Sequence, residues 1–162
     1  MSPKASYKAA SASFGLYGGL FKDITQEVGF EKAAAMHANR GKEFGAQVAA
    51  MMKQELGGKK LTLNGLESMY SKILEQMGIK PEIAKKRSTL ISTVHQCPVY
   101  EGLKNAGLDH NAIEKMCTQM SLAEYEQLKD SFPMLSICLK FRSTPDEPCV
   151  EEFVIIKETA KP

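Results

Sequence analysis

LSICLKF at residues 135–141 and CVEEFVIIK at residues 149–157 are the two stretches that decide the fold class. In the first, apolar side chains alternate with polar or small ones, which is the pattern of a strand with one buried face. The second is rich in valine, isoleucine and phenylalanine, which favour extended backbone. Residues 145–148 between them have the composition of a turn. Together these features predict an antiparallel pair of strands.

Upstream of this pair, the pattern is mostly helical. Residues 88–96 are rich in threonine, isoleucine and valine and predict one further strand. Apolar side chains at helical spacing predict long helices over residues 4–28, 30–56 and 66–77, with a break or a close packing contact near Gly18–Gly19. Shorter helices are predicted over residues 98–107, 109–117 and 122–130, and one helical turn over residues 82–87.

These elements predict an α+β fold, in which a helical N-terminal half packs on a small antiparallel β-sheet from the C-terminal half. The 162 residues fit a single domain over residues 1–162, because either half alone would lack a sufficient core. Residues 1–5 and 158–162 are expected to fray.

Charge and hydropathy exclude several classes of partner. The net charge of +2 is small and the basic residues are scattered, so we expect no nucleic-acid partner. No run of about 18 apolar residues exists, so we expect no membrane span. Without a secretory signal the chain is expected to be cytoplasmic, with its four cysteines as reduced thiols.

One short segment, His95-Gln96-Cys97-Pro98, carries a candidate reactive group. Two residues apart on a strand, an imidazole and a thiol point the same way. A helix that begins at Pro98 would place its N-terminal dipole beside Cys97 and stabilise a thiolate. The alternative is that Cys97 packs as a small apolar core residue.

Two further interpretations remain open. His95, Cys97, Cys117 and Cys149 are the residue types of a zinc site, but their spacing is not that of paired zinc ligands, so no metal and no other cofactor is expected. His37 lies on the apolar stripe of the helix at 30–56. It is either a core residue bonded to a carbonyl or a ligand-facing group with space left by Gly41.

The residue order in the last third of the chain is similar to that of a known family. Cys97-Pro98-Val99-Tyr100 is followed by Gly107, Cys117, the strand at 135–141, and then Cys149 and Phe153. This order resembles the L-2-amino-thiazoline-4-carboxylic acid hydrolase-like family and, more remotely, small-molecule-binding domains of the vinyl-reductase type. The last motif differs from the family's Cys-Asp-Phe-x-Phe, because Val150 and Glu151 replace its Asp and first Phe.

The resemblance implies an α+β domain around a pocket and a hydrolase that opens a cyclic amidine, a 2-aminothiazoline carboxylate. By position, the resemblance implies substrate contacts from Arg40, Gly41, Tyr100, Cys117 and Cys149. For the reaction we expect three catalytic groups: Cys97 as nucleophile or oxyanion neighbour, His95 as base, and His37 orienting the substrate.

Two other functions are compatible with the sequence. The chain is a non-catalytic small-molecule-binding domain if the methionine and phenylalanine side chains of the helix at 30–56 line a pocket beside Gly41 and Gly45. The apolar N-terminal helices are alternatively the interface of a homodimer.

Overall fold

The computed structural model describes residues 2–156. Their elements in chain order are α1 (Pro3–Val28), α2 (Phe30–Leu56), α3 (Leu63–Gln76), β1 (Glu82–Lys86), β2 (Thr89–Val94), α4 (Pro98–Asn105), α5 (His110–Ser131), β3 (Leu135–Lys140) and β4 (Cys149–Ile155). The four strands form one antiparallel sheet in the order β1-β2-β4-β3. The α+β prediction is therefore confirmed, with a helical N-terminal half and the strands in the C-terminal half.

The first strand corrects the prediction of a helical turn at 82–87. β1 instead pairs with β2 from Glu82↔Thr93 to Lys86↔Thr89, across a tight turn in which Arg87 has a positive φ of 55°. Most β1 side chains are exposed, as is usual for a charged strand at the edge of a sheet. Because no face of β1 is well buried, its sequence lacks the alternation that identifies a strand.

Helix α5 replaces the two short helices predicted over 109–117 and 122–130. Asp109 caps it as expected, since its Oδ1 accepts a hydrogen bond of 2.8 Å from the amide of Ala112. Ser121 and Glu124, which resemble a capping box, lie inside the helix. The helix continues through them because it packs along α2 over most of its length.

The other helices follow the predictions closely. α1 is unbroken, and Gly18 marks a close contact instead, because a Cβ there would lie 2.7 Å from the Cβ of Ala106. α1 begins at Pro3, within the segment expected to fray, and Ser2 caps it. Thr62, not Asn64, caps α3. Residues 158–162, the other expected frayed segment, lie outside the described residues.

Two glycines allow α2 and α5 to pack backbone against backbone. A Cβ at Gly41 would lie 2.4 Å from the carbonyl oxygen of Met120, and a Cβ at Gly45 would lie 2.6 Å from that of Glu124. The residue numbers of both contacts increase by four, from Gly41 and Met120 to Gly45 and Glu124, so the two helices run in the same direction. Gly41 is therefore a packing residue of the helix pair.

Two main apolar clusters lie toward the two ends of this pair. One joins α2, α3 and α5 to the sheet through residues such as Val48, Leu66 and Leu90. The other joins α1 and α4 to the first halves of α2 and α5 through residues such as Phe21 and Leu103. In the described part of the chain, none of the helices has the length and apolarity needed to cross a bilayer.

Substituting alanine for Gly41 or Gly45 should lower the free energy of unfolding. Alanine favours a helix by about 1 kcal/mol over glycine, but here its methyl group would meet a backbone carbonyl that cannot move aside, at a cost of about 1–3 kcal/mol. Gly19→Ala is the matched control, because a Cβ at that helical position has no atom within 4 Å. In urea unfolding, Gly19→Ala should stabilise the protein. Stabilisation by Gly41→Ala or Gly45→Ala would contradict the close packing.

Candidate ligand-binding cavity

A cavity of about 470 Å³ lies between the helices and the sheet, with lining residues from all five helices. Each helix or strand lines the cavity with residues from one of its faces, because residues three or four apart share a helix face and alternate residues share a strand face. The wall includes the following residues: His37, Arg40, Met52, Met69, Tyr70, Cys97, Tyr100, Cys117, Met120, Ser121, Glu124, Tyr125, Leu128, Cys149, Glu151 and Phe153. Most of the wall is apolar, and its size is typical of sites for small molecules.

Glu151 is the centre of a polar cluster in this wall. It lies on β4, and each of its carboxylate oxygens accepts a hydrogen bond from a phenol, one from Tyr70 of α3 and one from Tyr125 of α5. Tyr70 Oη also lies 3.1 Å from Ser92 Oγ. Burial, followed by the charge of Glu151, raises the pKa of both phenols, so both keep their protons as donors.

Glu124 is a second carboxyl in the same wall, on α5 next to Tyr125. Burial, followed by the charge of Glu151, raises the pKa of Glu124 to about 8. The two acidic side chains thus share an apolar cavity, and Glu124 holds its proton near neutral pH mainly because it is buried.

His37 faces the cavity from α2 and is only 8% exposed. Its Nδ1 lies 2.6 Å from Tyr17 Oη of α1, so its partner is a phenol and not the carbonyl that the core interpretation specified. Burial lowers the pKa of His37, which keeps the imidazole neutral. Burial also raises the pKa of Tyr17, although the charge of Arg40 opposes this effect.

Three thiols lie in the cavity wall: Cys97, Cys117 and Cys149. Burial raises the pKa of Cys97, although the backbone amides of Tyr100 and Val99 at the start of α4 lower it in part. Burial also raises the pKa of Cys117. The helix dipole expected to produce a thiolate at Cys97 is therefore outweighed by desolvation, and both groups rest as thiols.

Arg142 fixes the loops beside these thiols, and the sequence analysis did not single it out. Only 3% of it is exposed. Its guanidinium donates to the carbonyls of Pro145 at 3.1 Å, His95 at 3.3 Å and Val94 at 3.4 Å, and Nε lies 3.5 Å from Cys149 Sγ. A buried arginine just after a strand with a polar face gives no distinctive sequence signal, because the alternation of β3 stops at Lys140.

The structure places His95 away from the cavity. β2 ends at Val94, so the strand alternation that would align His95 with Cys97 does not continue. The imidazole is exposed, and its Nε2 lies 3.3 Å from Glu82 Oε1. Cys97 instead occupies the position immediately before α4 and lines the cavity.

Of the other expected site residues, most line the cavity and one does not. Tyr100 lines the cavity and its Oη lies 3.0 Å from His110 Nδ1. Arg40 lies at the rim, where its exposed guanidinium pairs with Glu43 at 2.6 Å. Gly41 contacts the backbone of α5 instead of the cavity. The structure thus brings together six of the eight expected residues: His37, Arg40, Cys97, Tyr100, Cys117 and Cys149.

Six polar cavity residues were not among the predicted site residues: Tyr17, Tyr70, Ser121, Glu124, Tyr125 and Glu151. A signal for the two glutamates was present. Glu124 lies seven residues after Cys117, on the same helix face, and Glu151 is two residues after Cys149 on its strand. Within residues 2–156, no three histidine, cysteine, aspartate or glutamate side chains are grouped closely enough to hold a metal ion.

No protein-family model matches this chain, and no curated protein matches it either. The proposals below are therefore supported by the cavity and its chemistry.

The raised pKa of Glu124 predicts a pH dependence of stability. Between about pH 4.5 and pH 8 the folded protein keeps a proton on Glu124 that the unfolded chain releases, so this group lowers stability as pH rises through that window. The largest slope from one proton is about 1.4 kcal/mol per pH unit. Glu124→Gln should remove this slope in urea unfolding from pH 5 to pH 9.

The control for this measurement is Glu126→Gln, an exposed carboxyl on the same helix. It should leave the pH profile of the wild-type protein unchanged. If Glu124→Gln and wild type gave parallel profiles, Glu124 would not be protonated in the folded state.

Proposed function

We propose that this protein is a small-molecule-binding domain that holds one largely apolar ligand in the cavity between the helices and the sheet. The observation that carries this proposal is the cavity itself, about 470 Å³ of space with a mostly apolar wall. Well-packed protein interiors leave few voids larger than a water molecule. A void of this size is therefore best explained by a ligand.

The frame of the cavity supports the proposal. The backbone contact between α2 and α5 at Gly41 and Gly45 fixes two of its walls, and the central strand β4 forms part of a third. Met52, Met69 and Met120 supply flexible, polarisable side chains to the lining. Methionine adapts to irregular shapes, so the cavity can adjust to its ligand while the backbone stays fixed.

A hydrolase acting on a cyclic amidine, such as a 2-aminothiazoline carboxylate, is the second candidate. It is favoured by the position of Cys97, whose thiol lines the cavity beside the first amides of α4. A proton acceptor for that thiol would have to come from the cavity wall, where His37 is neutral, because His95 lies outside it. The roles of these residues stay predictions.

Two other expectations stay predictions as well. Leu16 and Leu20 of α1 are 81% and 55% exposed, which is compatible with the expected homodimer through the N-terminal helices. A cytoplasmic location is compatible with the four free thiols.

Filling the cavity should abolish ligand binding. Ser121→Phe adds an aromatic ring from the α5 face that lines the cavity, whereas Leu122→Phe adds a ring at the next position, which is exposed. The wild-type protein and Leu122→Phe should bind the neutral fluorescent probe N-phenyl-1-naphthylamine with equal affinity. Ser121→Phe should bind it at least about tenfold more weakly, since the ring occupies the space. Equal binding by all three proteins, or no binding by the wild type, would contradict the proposal.

The hydrolase candidate is tested by Cys97→Ala. If Cys97 is the nucleophile, the variant should lose at least about a hundredfold of the turnover of 2-aminothiazoline-4-carboxylate, followed by chromatography of the ring-opened product. Cys138→Ala is the control, because Cys138 is exposed and outside the cavity wall. Full turnover by Cys97→Ala would remove Cys97 from the reaction.

A further inference from the structure

We infer that the ligand carries a protonated amine on an apolar body, and that the ammonium group is bound between Glu124 and Glu151. This inference rests on the proposed function, since it names the chemistry of the molecule that the same cavity holds. It is argued from the donors, acceptors and charges that the described residues place around the two carboxyls.

Glu151 is a carboxylate that is bound by two hydrogen-bond donors. Its two oxygens accept from Tyr70 and Tyr125, which are neutral phenols on opposite helices. Two phenolic donors stabilise a carboxylate but do not cancel its charge. The side chain is also only partly buried, so it can be reached from the cavity that it lines.

In the described part of the chain, neither of the two carboxyls is paired with a protein cation. Within residues 2–156, no lysine, arginine or histidine forms a hydrogen bond or ion pair with Glu124 or Glu151. Arg40 is at the rim and pairs with Glu43, and Arg142 donates to backbone carbonyls and lies 3.5 Å from the Sγ of Cys149, a lining residue. His37 is neutral. Neither carboxyl is therefore paired directly with a cation from these residues, although the guanidinium of Arg142 is close enough to the wall to lower the pKa of Cys97 and Cys117 in part.

Such surroundings favour a ligand that carries a positive charge. An ionised carboxylate away from water is costly unless it is paired. An anionic ligand would add repulsion, and a purely apolar ligand would remove water from both carboxyls without replacing its hydrogen bonds. An ammonium group provides three donors and a positive charge, and both carboxyls line the cavity that it would enter.

The lining on either side of the carboxyls determines the polarity of the rest of the ligand. On α5, Leu128 follows Glu124 by one turn, and on β4, Phe153 follows Glu151 by two residues. Beyond them lie apolar side chains such as Met52 and Met69. The amine is therefore attached to an apolar body, as in an alkylamine or an arylalkylamine.

The experiment compares three probes with one alkyl chain and different head groups: n-decylamine, 1-decanol and decanoate. Each is titrated by calorimetry into the full-length protein at pH 7. Decylamine should bind at least about tenfold more tightly than decanol, because a charge-assisted hydrogen bond contributes more than a neutral one. Decanoate should bind more weakly than decanol.

Variants of the two carboxyls locate the preference, since Glu151→Gln removes the charge and Glu124→Gln replaces a carboxyl that can ionise beside an ammonium group by an amide that cannot. Glu151→Gln and Glu124→Gln should each reduce decylamine affinity by about tenfold or more and leave decanol affinity within about twofold. Glu126→Gln and Glu152→Gln are matched controls, since each is the exposed near neighbour of a cavity glutamate on the same element. Both controls should behave as wild type. The side chain of Glu124 makes no hydrogen bond within residues 2–156, so its variant tests the inference even if Glu151→Gln does not fold.

The outcomes separate the two proposals. If decanol binds and decylamine binds no more tightly, the amine inference is overturned while the binding function stands. The same conclusion follows if the two cavity variants and the two surface controls lose decylamine affinity equally. If none of the three probes binds, the proposed binding function is overturned, and the inference that rests on it is overturned too.

Discussion

The backbone contact between α2 and α5 is the constraint on which the rest of the structure depends. Carbonyl oxygens of α5 occupy the space that side chains at Gly41 and Gly45 would otherwise fill. The two helices take part in both apolar clusters: their first halves pack with α1 and α4, and their second halves pack with α3 and the sheet. The cavity lies along this helix pair, with lining residues from all five helices and the sheet.

The chemistry of that space follows from desolvation. The same burial that gives an apolar wall raises the pKa of Cys97, Cys117 and Glu124 and lowers that of His37, so each of these groups is neutral near pH 7. Glu151 differs in its hydrogen bonds, because two phenols donate to its carboxylate oxygens. A cavity of neutral groups around one stabilised carboxylate is suited to selecting a ligand by charge more than to activating a thiol.

Individual residues show how far sequence reasoning extended into this site. His37 was identified because it lies on a helical stripe of apolar residues, and Cys97 because it precedes the proline that begins α4; both line the cavity. His95 was paired with Cys97 by extending strand alternation past Val94, where the strand ends. Arg142 and the phenols of Tyr70 and Tyr125 could not be placed, because their partners are 3 to 81 residues away in the chain and are brought together only by folding.

The sequence by itself determined the α+β class, the long helices α2 and α3, and the strands β2, β3 and β4, because periodicity and capping are local properties of the chain. Only the tertiary structure decided that the charged residues 82–86 form an edge strand and that α5 is one helix, since pairing with β2 and packing on α2 override weak local preferences. It also decided that Gly41 contacts a helix and not a ligand, and that Glu124 and Glu151 meet in one cavity. Those facts depend on distances between elements, which local sequence patterns do not encode.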